Sequence, residues 1–181
     1  MKHLPNSLTW MRIIAAPVLA TVFQLPVFAD VANNVAFVIF ALASATDFLD
    51  GFFARNFNRQ SRLGAFLDPI ADKILVITAL LLLLHDHRAP LIASIILICR
   101  SVFVSSLREW MAGVNEFGLL GVTIVAKWKT VVEMVAVSLL FYQAEVFGLS
   151  ALVWGQYFLW LAAILSVHSM IIYLRIAWPH I

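Results

Sequence analysis

The stretch Asp47-Phe48-Leu49-Asp50-Gly51-Phe52-Phe53-Ala54-Arg55 is followed, after eight residues, by Gly64-Ala65-Phe66-Leu67-Asp68-Pro69-Ile70-Ala71-Asp72. It sets four carboxylates inside two apolar runs. A charge at the centre of a bilayer costs about 2.5–3.5 kcal/mol on insertion scales, so such groups are retained only with partners and a task. On helices, Asp47 and Asp50 stand three apart and share a face, as do Asp68 and Asp72 four apart. The short loop from Asn56 to Leu63 makes the two runs antiparallel neighbours, so the two pairs meet at one depth. Four carboxylates in one cleft repel each other unless cations bind them. An oxygen-only donor set suits Mg²⁺ or Mn²⁺ rather than zinc, which favours His and Cys. Two such ions about 3.5–4 Å apart would clamp a phosphate group. Gly51, Ala54 and Gly64 lie near these faces and let a ligand approach the backbone. Arg55 ends the first run, where a guanidinium can fork onto phosphate.

The rest of the chain places this constellation in lipid. Of 181 residues, 63% are apolar and only 12% charged. Soluble domains carry about 45–50% and about 25%. The mean hydropathy is +0.97. Six stretches are long and apolar enough to span a bilayer: 8–29, 34–54, 64–84, 90–111, 126–146 and 150–174. Strands would need period-2 alternation and frequent turns, and neither occurs. The expectation is an all-α integral membrane protein, one domain over residues 1–181, with six transmembrane helices and a polar cleft facing the cytoplasm. The N-terminus has no small-residue cleavage site after a short apolar core, so the first span reads as retained. A single cysteine, Cys99, excludes an intramolecular disulfide. A net charge of +2 offers no argument for nucleic acid as a partner.

Charge asymmetry orients the spans. With the N-terminus inside, Lys2, Arg55, Arg59, Arg62, Arg108, Lys127, Lys129 and Arg175 all fall at or near cytoplasmic helix ends. Arg88 alone falls on the far side, among Asp30, Asp86 and Glu145. Both termini are then cytoplasmic. Trp10, Trp110, Trp128 and Trp178 sit near the same ends, as interfacial anchors do.

The eight positions Asp47, Asp50, Gly51, Ala54, Arg55, Gly64, Asp68 and Asp72 match the pattern D-x2-D-G-x2-A-R-x8-G-x3-D-x3-D. The chain therefore resembles the CDP-alcohol phosphotransferases. Other runs resemble the members that make phosphatidylglycerophosphate: Pro5-Asn6-Ser7-Leu8-Thr9 with Arg12, Gly64 through Lys73, Ser105 through Ala112, and Lys127-Trp128-Lys129-Thr130. Two positions depart from those runs: Ser101 follows Arg100 where Glu is usual, and Ala126 precedes Lys127 where Gly is usual. The resemblance implies a homodimeric enzyme of the bacterial inner membrane that moves a phosphatidyl group from CDP-diacylglycerol to sn-glycerol 3-phosphate, releasing CMP. It implies that Asp47, Asp50, Asp68 and Asp72 hold two divalent ions, with Asp72 as general base. Gly51, Ala54, Arg55 and Gly64, with Asn6 and Thr9, would bind the CDP donor.

The acceptor implied is a dianion and needs cations. Arg100, Arg108, Lys127 and Lys129 are the candidates. Arg100 lies deep in its span, where an unpartnered charge is costly. Lys127 and Lys129 point about 200° apart on a regular helix, so one of them is expected to enter the cleft. Two alternatives stand beside this reading. One is a transfer within the same family to another alcohol, such as phosphatidylglycerol, inositol phosphate or serine. The other is a cation-coupled carrier, which leaves Gly51, Ala54, Arg55 and Gly64 without a role.

Overall fold

In the computed structural model, residues 4–25, 31–57, 62–113, 124–142, 144–146 and 148–180 are described, with side chains at 10–25, 31–46, 67, 70–111, 127–142, 144–146 and 148–179. The chain forms α1 (Leu4–Gln24), α2 (Ala32–Phe57), α3 (Arg62–His85), α4 (Leu91–Gly113), α5 (Ile124–Phe141) and α6 (Ala151–Ala177). A short 3₁₀ turn, Trp178–His180, follows α6. The six helices fall where the six apolar stretches lie. α1 stops at Gln24, short of the expected residue 29, because Leu25 precedes Pro26 and a residue before proline is disfavoured in helical conformation.

One expectation is corrected. A strand pair does form: β1 (Glu145–Val146) pairs antiparallel with β2 (Leu149–Ser150). Its turn needs a left-handed residue, and Gly148 supplies it at φ 77°. The hairpin ends α5 at Phe141 rather than near residue 146 and leads directly into α6. With this two-residue ladder the one strand pair among the described residues, the fold class remains all-α.

Among the described residues, two helices are long and apolar enough to cross a membrane, Leu91–Met111 and Ala151–Ala177, each with mean hydropathy 1.8. Trp10–Gln24 and Ala32–Thr46 are shorter apolar helical stretches. Outward faces are as apolar as inward ones: Leu42, Leu91, Ile92 and Ile164 are each more than 60% exposed. Apolarity therefore does not choose the packed face. Residue size does. The buried side of α6 runs through Gly155, Ala162, Ala163, Ser166 and Ser169, the small residues that let helices approach closely. A Cβ on Gly155 would stand 2.7 Å from Leu140 Cγ and 3.1 Å from the Leu140 backbone nitrogen, so α5 and α6 meet at this glycine.

α1 packs on α2 and α3, α5 on α6 and α2, and α6 on α4. Phe23 of α1 and Phe40 of α2 both pack on Phe141 at the end of α5, with ring centroids 5.6 and 6.1 Å away. Arg88, in the turn between α3 and α4, ties this end of the bundle together. Its guanidinium ion-pairs with Asp86 at 3.3 Å and donates to the Leu140 carbonyl at 3.5 Å. It also lies 5.8 Å from the Phe23 ring centroid. Gln156 of α6 donates to the Arg88 carbonyl at 2.9 Å.

Candidate active site

A cleft of about 280 Å³ opens between α3, α4 and α5. α3 contributes Asp72 and Lys73, α4 contributes Arg100, Ser101 and Arg108, and α5 contributes Lys129 and Glu133. Ser105, Thr130 and apolar side chains, including Val76, Leu80 and Leu97, line the remainder. Helical spacing explains the set. Asp72, Val76 and Leu80 recur every four residues on α3, as do Arg100, Val104 and Arg108 on α4, so each row lies on one face.

Asp72 is held from α1. Arg12 Nη1 donates to Asp72 Oδ1 at 2.7 Å; the Arg12 side chain is 3% exposed and that of Asp72 37%. The pair links two helices that also pack along their length. A guanidinium at this distance orients the carboxylate, which lines the cleft.

The cations of α4 are held from α6. Arg100 Nη2 donates to Ser169 Oγ at 2.8 Å, and Ser169 Oγ donates on to the Ser166 carbonyl at 2.9 Å. Arg108 Nη2 donates to Tyr173 Oη at 2.7 Å, with its guanidinium carbon 5.1 Å from the ring centroid. Arg100 and Arg108 stand two turns apart, about 12 Å of rise, whereas Ser169 and Tyr173 stand one turn apart, about 6 Å. Two residues one turn apart on α6 thus hold the two guanidinium groups of α4. Each Nε is buried without a hydrogen-bond partner among the described residues, leaving donors that an anion would satisfy.

Of the two lysines on α5, Lys129 is buried at 4% exposure, lines the cleft and ion-pairs with Glu133 one turn on. Lys127 is exposed and does not line the cleft. The structure thus brings Asp72, Arg100, Arg108 and Lys129 together and leaves Lys127 outside. Among the described lining residues, four cationic side chains face two carboxylates, an excess of positive charge suited to a dianion.

The side chains of Asp47, Asp50, Gly51, Ala54, Arg55, Gly64 and Asp68, and those of Asn6 and Thr9, lie outside the described residues. The helix bounds still set the heights of the first group. α2 ends at Phe57 and α3 begins at Arg62. At 1.5 Å per residue, Asp50 and Asp68 lie about 9–11 Å from those ends, and Asp47 and Asp72 both about 15 Å. α2 and α3 are in contact, so these four positions stand at matching heights along the two helices. Aspartate at all four suits hard divalent cations, which take oxygen ligands.

Sequence reasoning missed four residues of this site. Glu133 and Arg12 were each visible as a charge within an apolar span, the usual mark of a task. Ser169 and Tyr173 form a polar i, i+4 pair on α6, but only their contacts with α4 reveal it.

The motif, the helical scaffold and the cationic cleft together place the chain in a known class. Residues 2–168 match the family model of the CDP-alcohol phosphatidyltransferases, and the chain belongs to that family. Its members are generally dependent on divalent metal. Among its relatives, the chain is 40% identical to a protein of Wigglesworthia glossinidia brevipalpis over 97% of its own length and 95% of the relative's. It is 39% identical to one of Haemophilus influenzae over 97% and 93%, and 35% identical to one of Escherichia coli over 97% and 94%. All three are named CDP-diacylglycerol–glycerol-3-phosphate 3-phosphatidyltransferase.

Proposed function

We propose that this protein transfers the phosphatidyl group of CDP-diacylglycerol to sn-glycerol 3-phosphate, giving phosphatidylglycerophosphate and CMP. The observation that carries this reading is the convergence of Arg100, Arg108 and Lys129 on the cleft that contains Asp72. An acceptor with its own phosphate needs such cations beside the reacting aspartate; an uncharged alcohol does not. The names of the near-full-length relatives support the same substrates.

In this mechanism Arg100, Arg108 and Lys129 bind the phosphate of the acceptor and aim its 1-hydroxyl at Asp72. Arg12 holds the Asp72 carboxylate in place. Asp72 takes the hydroxyl proton as the oxygen attacks the phosphorus that carries diacylglycerol. The new P–O bond forms while the bond from that phosphorus to the oxygen bridging to CMP breaks, and CMP leaves with the electron pair. Asp47, Asp50, Asp68 and Asp72 would hold two Mg²⁺ or Mn²⁺ ions. Such ions, when bound, neutralise the diphosphate and the charge developing on CMP. Gly51, Ala54, Arg55 and Gly64, with Asn6 and Thr9, would receive the donor.

The chain works as one domain, residues 1–181, and as a homodimer in the bacterial inner membrane, with all six helices spanning it. The cleft and both termini face the cytoplasm. Support for this orientation comes from Trp10, Trp110, Trp128 and Trp178, all more than 40% exposed and all toward the same end of the alternating helices. That end also carries most of the Lys and Arg.

The test is CMP release by purified protein in detergent with CDP-diacylglycerol and Mg²⁺ or Mn²⁺. Release should require glycerol 3-phosphate, stop with EDTA and vanish in Asp72→Asn. Release with another alcohol but not with glycerol 3-phosphate would overturn the choice of acceptor.

A further inference from the structure

Glu133 is a carboxylate on the middle turns of α5, 6% exposed, in a cleft where cations outnumber carboxylates among the described residues. An unpaired negative charge there would oppose the binding of a dianion. Its setting gives it a different use. Glu133 is paired with Lys129 one turn before it, and both side chains are buried. Arg100 lines the same cleft from α4. Glu133 thus shares one space with both Lys129 and Arg100.

The facing position on α4 supplies no charge. Ser101 lines the same cleft beside Arg100, and its hydroxyl donates to the Ile98 carbonyl at 2.8 Å, a bond within its own helix. It is also the position at which the sequence departs from the synthase-like run by lacking a carboxylate. Buried cations without a counter-charge repel one another and adopt positions set by that repulsion. A carboxylate on either wall can prevent this. α4 and α5 present positions 101 and 133 to the same space.

We infer that Glu133 is a positioning residue: it holds the Lys129 ammonium in the cleft and balances it against Arg100, supplying from α5 the negative charge that Ser101 does not supply from α4. This rests on the proposed reaction. Without Glu133, Lys129 is free to draw the acceptor phosphate toward itself. Binding survives, but the acceptor hydroxyl is misaimed. A misaimed acceptor lowers kcat more than it changes KM.

The experiment compares four proteins in detergent: the parent, Glu133→Gln, Ser101→Glu and the double variant. Steady-state kinetics are measured against glycerol 3-phosphate, with thermal unfolding as a check on folding. In Glu133→Gln, kcat should fall about tenfold or more while KM moves less than about threefold. In Ser101→Glu, which adds a third carboxylate to the described lining beside Asp72 and Glu133, KM for the acceptor should rise about tenfold. The double variant, which keeps Asp72 and carries the second carboxylate on α4 instead of α5, should recover kcat to within about threefold of the parent. If Glu133→Gln alone does not fold, recovery of folding and turnover in the double variant supports the inference. A folded Glu133→Gln enzyme with parental kcat overturns it, and so does a double variant no better than Glu133→Gln. An active parent in either case leaves the proposed reaction standing. A parent that releases no CMP removes that reaction and this inference together.

Discussion

Replacing Arg12 by Gln tests whether Asp72 is positioned from α1. The pair spans sixty residues of sequence at 2.7 Å. Breaking a fully buried ion pair costs about 3–5 kcal/mol, whereas exposed pairs contribute about 1 kcal/mol or less. Arg12 is 3% exposed and Asp72 37%, so the cost lies between, roughly 2–3 kcal/mol. If that interaction is needed to reach the transition state, kcat falls about 30- to 150-fold at 1.36 kcal/mol per decade. The same loss in the ground state lowers Tm by roughly 4–12 °C for a chain of this size. The assay is CMP release at saturating substrates, beside unfolding followed by tryptophan fluorescence. KM for glycerol 3-phosphate should change little, because Arg12 lies outside the cleft lining. Turnover within twofold of the parent, despite a lower Tm, would refute the argument: Arg12 would then join α1 to α3 without orienting Asp72.

Two further outcomes follow from the packing and the cleft. Gly155→Ala forces a methyl group to 2.7 Å from Leu140 Cγ and 3.1 Å from a backbone nitrogen, and overpacking of this kind costs about 1–3 kcal/mol; Tm should fall and Gly155→Val should fall further. Lys129→Met should lower kcat/KM for glycerol 3-phosphate by about tenfold or more, as loss of a charge-assisted contact does, while Lys127→Met should stay within about twofold; equal losses in both would place Lys127 in the cleft after all.

The fold was largely legible because its strongest signals are local. A helix in lipid satisfies its backbone internally, so apolar runs and the breaks between them locate helices without tertiary information. The α5 terminus was the weak point. Tyr142 through Glu145 read as continuing the span, and the hairpin that stops it depends on a backbone conformation at Gly148. The site was legible where residues repeat on one face, as Arg100 and Arg108 do. It was illegible where the partner lies on another helix. Arg88 stood out as the far-side exception to the charge pattern, yet nothing local revealed that it ties Leu140, Phe23 and Asp86 together.

From the sequence alone came the phosphotransferase-like motif, six helical stretches, the side on which cations gather, and the antiparallel relation of the helices carrying the aspartates. These are one-dimensional facts of spacing and hydropathy. Only the tertiary structure decided that Arg12 pairs with Asp72, that Lys129 rather than Lys127 lines the cleft, that Glu133 accompanies it, and that Ser169 and Tyr173 hold the two arginines. The physical reason is that helices with apolar residues on every side carry little amphipathic signal to say which face turns inward. That choice falls to small residues such as Gly155, and to polar groups that find partners only once the helices are packed.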